Sequence, residues 1–134
     1  MNFSKAEKLT ILHHLIKLAG ADGEHRDEEY ELIHRVTEQL EVEPMEMEML
    51  FTKEIESTIP KAEAKRITIF FYLLLMVAVD GEIDGDEVEL LKELGFKLAL
   101  PLEAINTSIA LLNVYPKGNI PANEIIRIFQ IHHN

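Results

Sequence analysis

Ile67-Thr68-Ile69-Phe70-Phe71-Tyr72-Leu73-Leu74-Leu75-Met76-Val77-Ala78-Val79 runs without a charged side chain and breaks off abruptly at Asp80-Gly81-Glu82. A helix that is apolar on all sides must be covered on most of them. The stretch therefore reads as the central helix, over residues 61–80, of an all-α domain whose other helices pack around it. It is too short to cross a bilayer, which takes about 20 apolar residues.

Helical signals recur outward from this centre. Ser4-Lys5-Ala6-Glu7 is a capping box, and Leu9, Leu12, Ile16 and Ala19 follow at helical spacing up to Gly20. A second helix starts near Asp27 with the stripe Leu32, Ile33, Val36 and Leu40, its first turn crowded with acids as the helix dipole favours. Pro44 suits the first turn of a third helix, expected through about Ser57, and Pro60 does the same for the central one. Beyond Ile83 comes a fifth helix with Leu90, Leu91, Leu94 and Leu98. Pro101 opens a sixth with Ile105, Ile109 and Leu112, and Pro121 opens a last one with Ile125, Ile128 and Phe129. Tyr115–Asn119 reads as a turn, and no strand is expected. The expectation is one all-α domain over residues 1–134, a bundle of about seven helices.

The chain repeats itself. Asp80 minus Asp22 is a shift of 58, and the same shift carries Gly23, Glu24 and Glu29 onto Gly81, Glu82 and Glu87. It also carries Leu32, Ile33, Val36 and Leu40 onto Leu90, Leu91, Leu94 and Leu98. A gapless repeat of this kind predicts two helix–loop–helix units packed with approximate two-fold symmetry.

Composition narrows the chemistry. The chain of 134 residues has no Cys, which excludes disulfides, thiolate zinc sites and cysteine nucleophiles. A formal charge of −11 and a pI near 4.9 disfavour nucleic acid and favour cations or basic partner surfaces. The opening residues form no signal peptide, so a cytoplasmic protein is expected.

Both loops carry Asp-Gly-x-x-x-x-x-Glu, Asp22 to Glu29 and Asp80 to Glu87. Hard divalent cations need several oxygens converging from a tight loop, and the second loop is the richer, adding Asp84 and Asp86. Asp80-x-Glu82-x-Asp84-Gly85 imitates the start of an EF-hand, but the twelfth position is Leu91 where the closing Glu belongs, so that reading fails. The plainer alternative is a capping box, with Asp84 as N-cap and Glu87 at the third helical position. It does not transfer to the first unit, where Arg26 is a poor capper.

Leu18-Ala19-Gly20-Ala21-Asp22-Gly23-Glu24 and Met76-Val77-Ala78-Val79-Asp80-Gly81-Glu82 resemble the TerB-like family of tellurite-resistance-associated domains, a likeness running from about Leu9 to Leu112. The resemblance implies a non-catalytic all-α module with a role in stress-response or membrane-associated protein complexes. It also implies a divalent metal (calcium, magnesium, manganese or zinc) held by Asp22, Glu29, Asp80 and Glu87, with Glu24 and Glu82 beside them. Arg26 departs from the small polar residue of the family pattern and His25 from its aliphatic one, both in the first loop.

Other candidates weigh less. His25 in the first loop is a zinc ligand by type, but no His-x-x-x-His accompanies it. His13 reads as a boundary residue, and His132 and His133 as frayed. Met45, Met47 and Met49 do not share a helix face and read as core filler. Ser4, Ser57 and Ser108 lack any nucleophile motif, so no catalytic residue is assigned and a metal-dependent hydrolase is the weakest reading. The alternative to the metal module is a structural adaptor, or a homodimer seamed at Phe70, Phe71 and Tyr72.

Overall fold

The computed structural model describes residues 2–24 and 26–132. Among them are seven α-helices and no strand: α1 (Lys5–Ala19), α2 (Asp27–Gln39), α3 (Pro44–Met49), α4 (Glu63–Ala78), α5 (Gly85–Lys97), α6 (Leu102–Ala110) and α7 (Ala122–Ile131). Two short 3₁₀ turns, Leu111–Asn113 and Pro116–Gly118, join α6 to α7. No helix among the described residues is long and apolar enough to cross a membrane.

The all-apolar stretch is covered as expected, since no residue from Ile67 to Val79 is exposed. Its helix is a little shorter than 61–80, because Pro60 precedes the N-cap Ala62 instead of entering the first turn. The centre, however, is a pair of helices. α1 buries Thr10, Ile11, Leu12, His13, His14, Leu15, Leu18 and Ala19, almost its whole circumference, and packs against α4 more extensively than any other two elements pack. His13 is thus buried, not at a boundary. The polar residues that disguise α1 find hydrogen-bond partners in the segment before α4. Thr10 Oγ1 donates to the Ala6 carbonyl at 2.9 Å and accepts the Thr58 amide at 2.8 Å. His14 Nε2 meets Ser57 Oγ at 3.2 Å.

The same contacts explain why α3 stops at Met49 and does not reach Ser57. Ser57 and Thr58 make their hydrogen bonds to α1, and Pro60 biases Ile59 away from helical geometry. Of the three methionines only Met47 fills core; Met45 and Met49 are exposed. Phe70 is fully buried and has no surface to give a dimer seam, while Phe71 and Tyr72 are half-buried against the core. His132 is held by Glu103 at 3.3 Å, not frayed, and His133 lies outside the described residues.

The repeat governs the backbone. A shift of 58 takes the first residues of α1 and α2, Lys5 and Asp27, onto those of α4 and α5, Glu63 and Gly85. It also pairs the turns that end α2 and α5. Glu41 and Ala99 both adopt φ 56, and the amides of Val42 and Leu100 return to the carbonyls of Thr37 and Gly95 at 3.1 and 3.3 Å. This is the six-to-one bond of a Schellman ending. Both units thus deliver an acidic loop between two packed helices.

Candidate metal centre

Each acidic loop turns on a glycine, Gly23 at φ 80 and Gly81 at φ 85, a region that side-chain-bearing residues rarely adopt. The preceding aspartate closes the turn. Asp22 Oδ1 accepts the Glu24 amide at 2.9 Å, and Asp80 Oδ1 accepts the Glu82 amide at 3.0 Å. Both aspartate side chains are nearly buried, 7 % and 8 % exposed, so their second oxygens do not simply face water.

Those second oxygens both meet Arg26. Its Nη2 reaches Glu24 at 2.9 Å and Asp22 Oδ2 at 3.5 Å, both in its own loop. Its Nη1 donates to Asp80 Oδ2 and lies 3.3 Å from Glu82, both in the other loop. One guanidinium nitrogen therefore serves each loop, and the loops meet in space. The neighbouring carboxylates raise the Arg26 pKa still further, chiefly through the hydrogen bonds to Glu24 and Asp80.

Behind this layer lie Glu29 and Glu87, the first-turn glutamates of α2 and α5, 2 % and 1 % exposed. Each keeps one carboxyl oxygen, Glu29 Oε1 and Glu87 Oε2, buried with no hydrogen-bond partner. Burial pushes Glu29 up to about 7, although the Arg26 main-chain amide holds it partly as the ion, and Asp22 and Asp80 raise it further. Burial pushes Glu87 up to about 8, with added repulsion from Glu29, Asp22, Asp80 and Asp84. The capping alternative holds only for Asp84, whose Oδ1 accepts the amides of Asp86 and Glu87 at 2.8 and 3.3 Å. Glu87 itself is turned inward.

Arg26 thus ties together four of the six expected carboxylates, the nearly buried Asp22 and Asp80 together with Glu24 and Glu82, 68 % and 78 % exposed. Glu29 and Glu87 are buried within electrostatic reach of Asp22 and Asp80. The donor set, oxygen throughout, fits a hard divalent cation. Among the described residues, however, no three His, Asp or Glu side chains converge on a single cation position, and the cation the loops share in this structure is the Arg26 guanidinium. His25 lies outside the described residues. The residue the pattern of acids does not reveal is Arg26. Its only trace in the sequence is a cation at a helix start where a small capping residue is usual.

No nucleophilic centre appears among the other candidates. Ser4 caps α1 and Ser108 donates to the Ala104 carbonyl at 2.7 Å. Ser57 does sit beside His14, but His14 Nδ1 is buried without a partner to orient the ring, and burial lowers the histidine to about 4. A base with that pKa is weak at neutral pH.

Fold and geometry together define an all-α protein made of a duplicated helix–acidic loop–helix unit whose two loops meet at Arg26. Residues 1–50 match the family model described as tellurite resistance protein TerB, so this stretch, the first unit and α3, is similar to that family. The shift of 58 relates the second unit to the matched one. No curated protein and no solved structure matches the chain.

Proposed function

We propose that this chain is a non-catalytic, TerB-like module that binds one divalent metal between its two acidic loops and works in the cytoplasm within a stress-response protein complex of the tellurite-resistance type. The ligands are Asp22, Glu29, Asp80 and Glu87, with Glu24 and Glu82 drawing the cation in. The observation that carries this reading is the pair of buried glutamates, each with an unpartnered oxygen and each within electrostatic reach of two nearly buried aspartates. Burying a carboxylate without a counter-charge or hydrogen bond is strongly unfavourable. A hard cation with carboxylate ligands offsets that penalty, and calcium, magnesium or manganese suits oxygen donors better than zinc does. The metal would also tie the two units together, so it would add to fold stability as well as to surface charge.

A thermal melt of chelator-stripped protein with each cation in turn tests this. A ligand bound only by the folded state, at a hundredfold excess over its dissociation constant, adds about 2.7 kcal/mol. The expected result is a metal-selective rise in Tm that disappears in Asp80→Asn/Glu87→Gln. Equal melts with and without every cation would remove the metal from the proposal.

A second reading, an adaptor without metal, has its own support. A groove of about 550 Å³ between α4 and α7 is floored by Ile67, Ile126 and Phe129. An apolar groove of that size suits a partner segment. Pulldown partners lost on Ile126→Asp but kept after metal stripping would favour it.

A further inference from the structure

Resting on the metal reading above, we infer that Arg26 is a tethered competitor for the cation: its guanidinium closes the cluster in the metal-free protein and must leave before a divalent ion can bind.

Asp22 Oδ1 and Asp80 Oδ1 are already engaged by the amides of Glu24 and Glu82. The aspartate oxygens with no backbone partner are the two Oδ2 atoms, and both are the ones that Arg26 takes. A metal bridging the loops through these atoms and the guanidinium bridging them through the same atoms exclude each other. Charge agrees with geometry. Asp22, Glu24, Asp80 and Glu82 contact a single positive group, and Glu29 and Glu87 lie behind them with no cation of their own. A delocalised guanidinium is a broad donor that reaches four carboxylates at the rim, but it cannot coordinate the two buried oxygens at short range as a small divalent ion can.

Arg26 also has somewhere to go. It stands at the edge of a cleft of about 330 Å³ between α2 and α3, walled by Ala19, Ile33, Tyr30 and Phe51, with the Glu48 carboxylate inside. Tyr30 and Phe51 stack with ring centres 5.9 Å apart, and the Tyr30 hydroxyl donates to Glu48. The Tyr30 ring is already stacked on His34 and Phe51, so the seat the cleft offers a guanidinium is the Glu48 carboxylate. The displaced side chain thus keeps a counter-charge without leaving the α2 N-terminus.

Calorimetric titration of chelator-stripped full chain with manganese and with calcium tests this in four proteins: wild type, Arg26→Gln, Arg26→Lys and Lys117→Gln. Lys117 lies next to Gly81 without bridging the loops, so its loss reports the plain effect of one charge. The expected result is that Arg26→Gln tightens binding at least about tenfold, equivalent to about 1.4 kcal/mol, well beyond Lys117→Gln. Arg26→Lys, a point charge unable to serve both loops at once, falls between. In the wild type, the Arg26 side-chain nitrogen resonances should shift as metal is added. Wild type and Arg26→Gln binding with equal affinity would overturn the competition and leave the metal reading standing. Metal bound by Arg26→Gln but not by wild type would support the competition and overturn the metal reading for the natural chain. Binding by none of the four would overturn both. Should Arg26→Gln not fold without metal, Arg26→Lys carries the same comparison, and an affinity equal to wild type again overturns the inference.

Discussion

The two units of this protein share one backbone and fill it differently. Helix starts, the turn glycines and the left-handed residues Glu41 and Ala99 all correspond under the shift of 58. Beside the matched acids and apolar stripes, other paired positions carry different side chains. Where α5 begins, Asp84 caps the helix; where α2 begins, Arg26 makes no cap and reaches across to the other loop. Forgoing an N-cap costs about 1 kcal/mol, in part offset by Asp27, Glu28 and Glu29 in the first turn. The comparison shows that a duplicated fold frees one copy to carry what the other secures. The second loop has its helix start fixed locally, and the first gives up that bond for a cation that holds both loops.

The largest break in the comparison is expected where the copies pack most unequally. Thr37 corresponds to Gly95. Thr37 is buried and donates to the Ile33 carbonyl at 2.7 Å, whereas a Cβ at Gly95 would lie 2.8 Å from Ile105 Cδ1 and 3.0 Å from Phe70 Cε1. Both of those side chains are fully buried and have little room to retreat. Gly95→Thr, which makes the second unit imitate the first, should destabilise by about 1–3 kcal/mol. The reverse, Thr37→Gly, removes a buried methyl and some helix propensity, and should cost about 1 kcal/mol. Urea unfolding of the two variants measures this, and equal losses would show that α5 does not need its closer approach.

The next difference is electrostatic. The folded protein keeps protons on Glu29 and Glu87 that the unfolded chain gives up above the ordinary 4.5, so metal-free stability falls as pH rises through about 7 for Glu29 and about 8 for Glu87. His14 acts in the opposite sense. It stays neutral in the fold, so its contribution is full above 6.5 and is lost as pH falls toward about 4. Between pH 6.5 and 8 only the two carboxyls contribute, and one proton held by the fold alone accounts for at most about 2 kcal/mol over that interval. Glu87→Gln should flatten this limb in chelator-treated protein; Glu29→Gln should flatten only its lower part. Denaturant titrations at half-unit pH steps distinguish them, and matching curves would mean that Arg26 does not favour the first glutamate over the second.

Much of this was legible in the sequence, and the unreadable parts share a cause. The repeat and the loop acids are set by short-range signals: turn glycines, caps and apolar spacing. Those gave α4, both loops and the bundle. Long-range effects defeated the reading. The all-round burial of α1 was hidden because Thr10, His13 and His14 look like surface residues until their partners Thr58, Glu54 and Ser57 are known. The premature end of α3 has the same origin. At the site, each acid could be named, but the meeting of the loops depends on Arg26 contacting residues more than 50 positions away. No local pattern encodes that contact, and in a strand of acids one arginine reads as a flaw in the motif.

The smallest expected effect tests how far the copies remain interchangeable. Glu41 and Ala99 end α2 and α5 with the same φ of 56, where an L-residue costs about 1–2 kcal/mol and glycine costs nothing sterically. Glycine also makes the unfolded chain more flexible, which returns part of the gain. Ala99→Gly and Glu41→Gly should therefore each stabilise by about 0.5–1 kcal/mol. Glu41 adds one difference, since removing its exposed carboxylate lessens repulsion near an α-helix C-terminus in a chain of net charge −11. Its variant should gain slightly more than Ala99→Gly at low salt and the same at high salt, because salt screens the charge and leaves the backbone strain untouched. A salt-independent gap between the two would instead mean that the paired endings carry unequal strain despite their equal torsions.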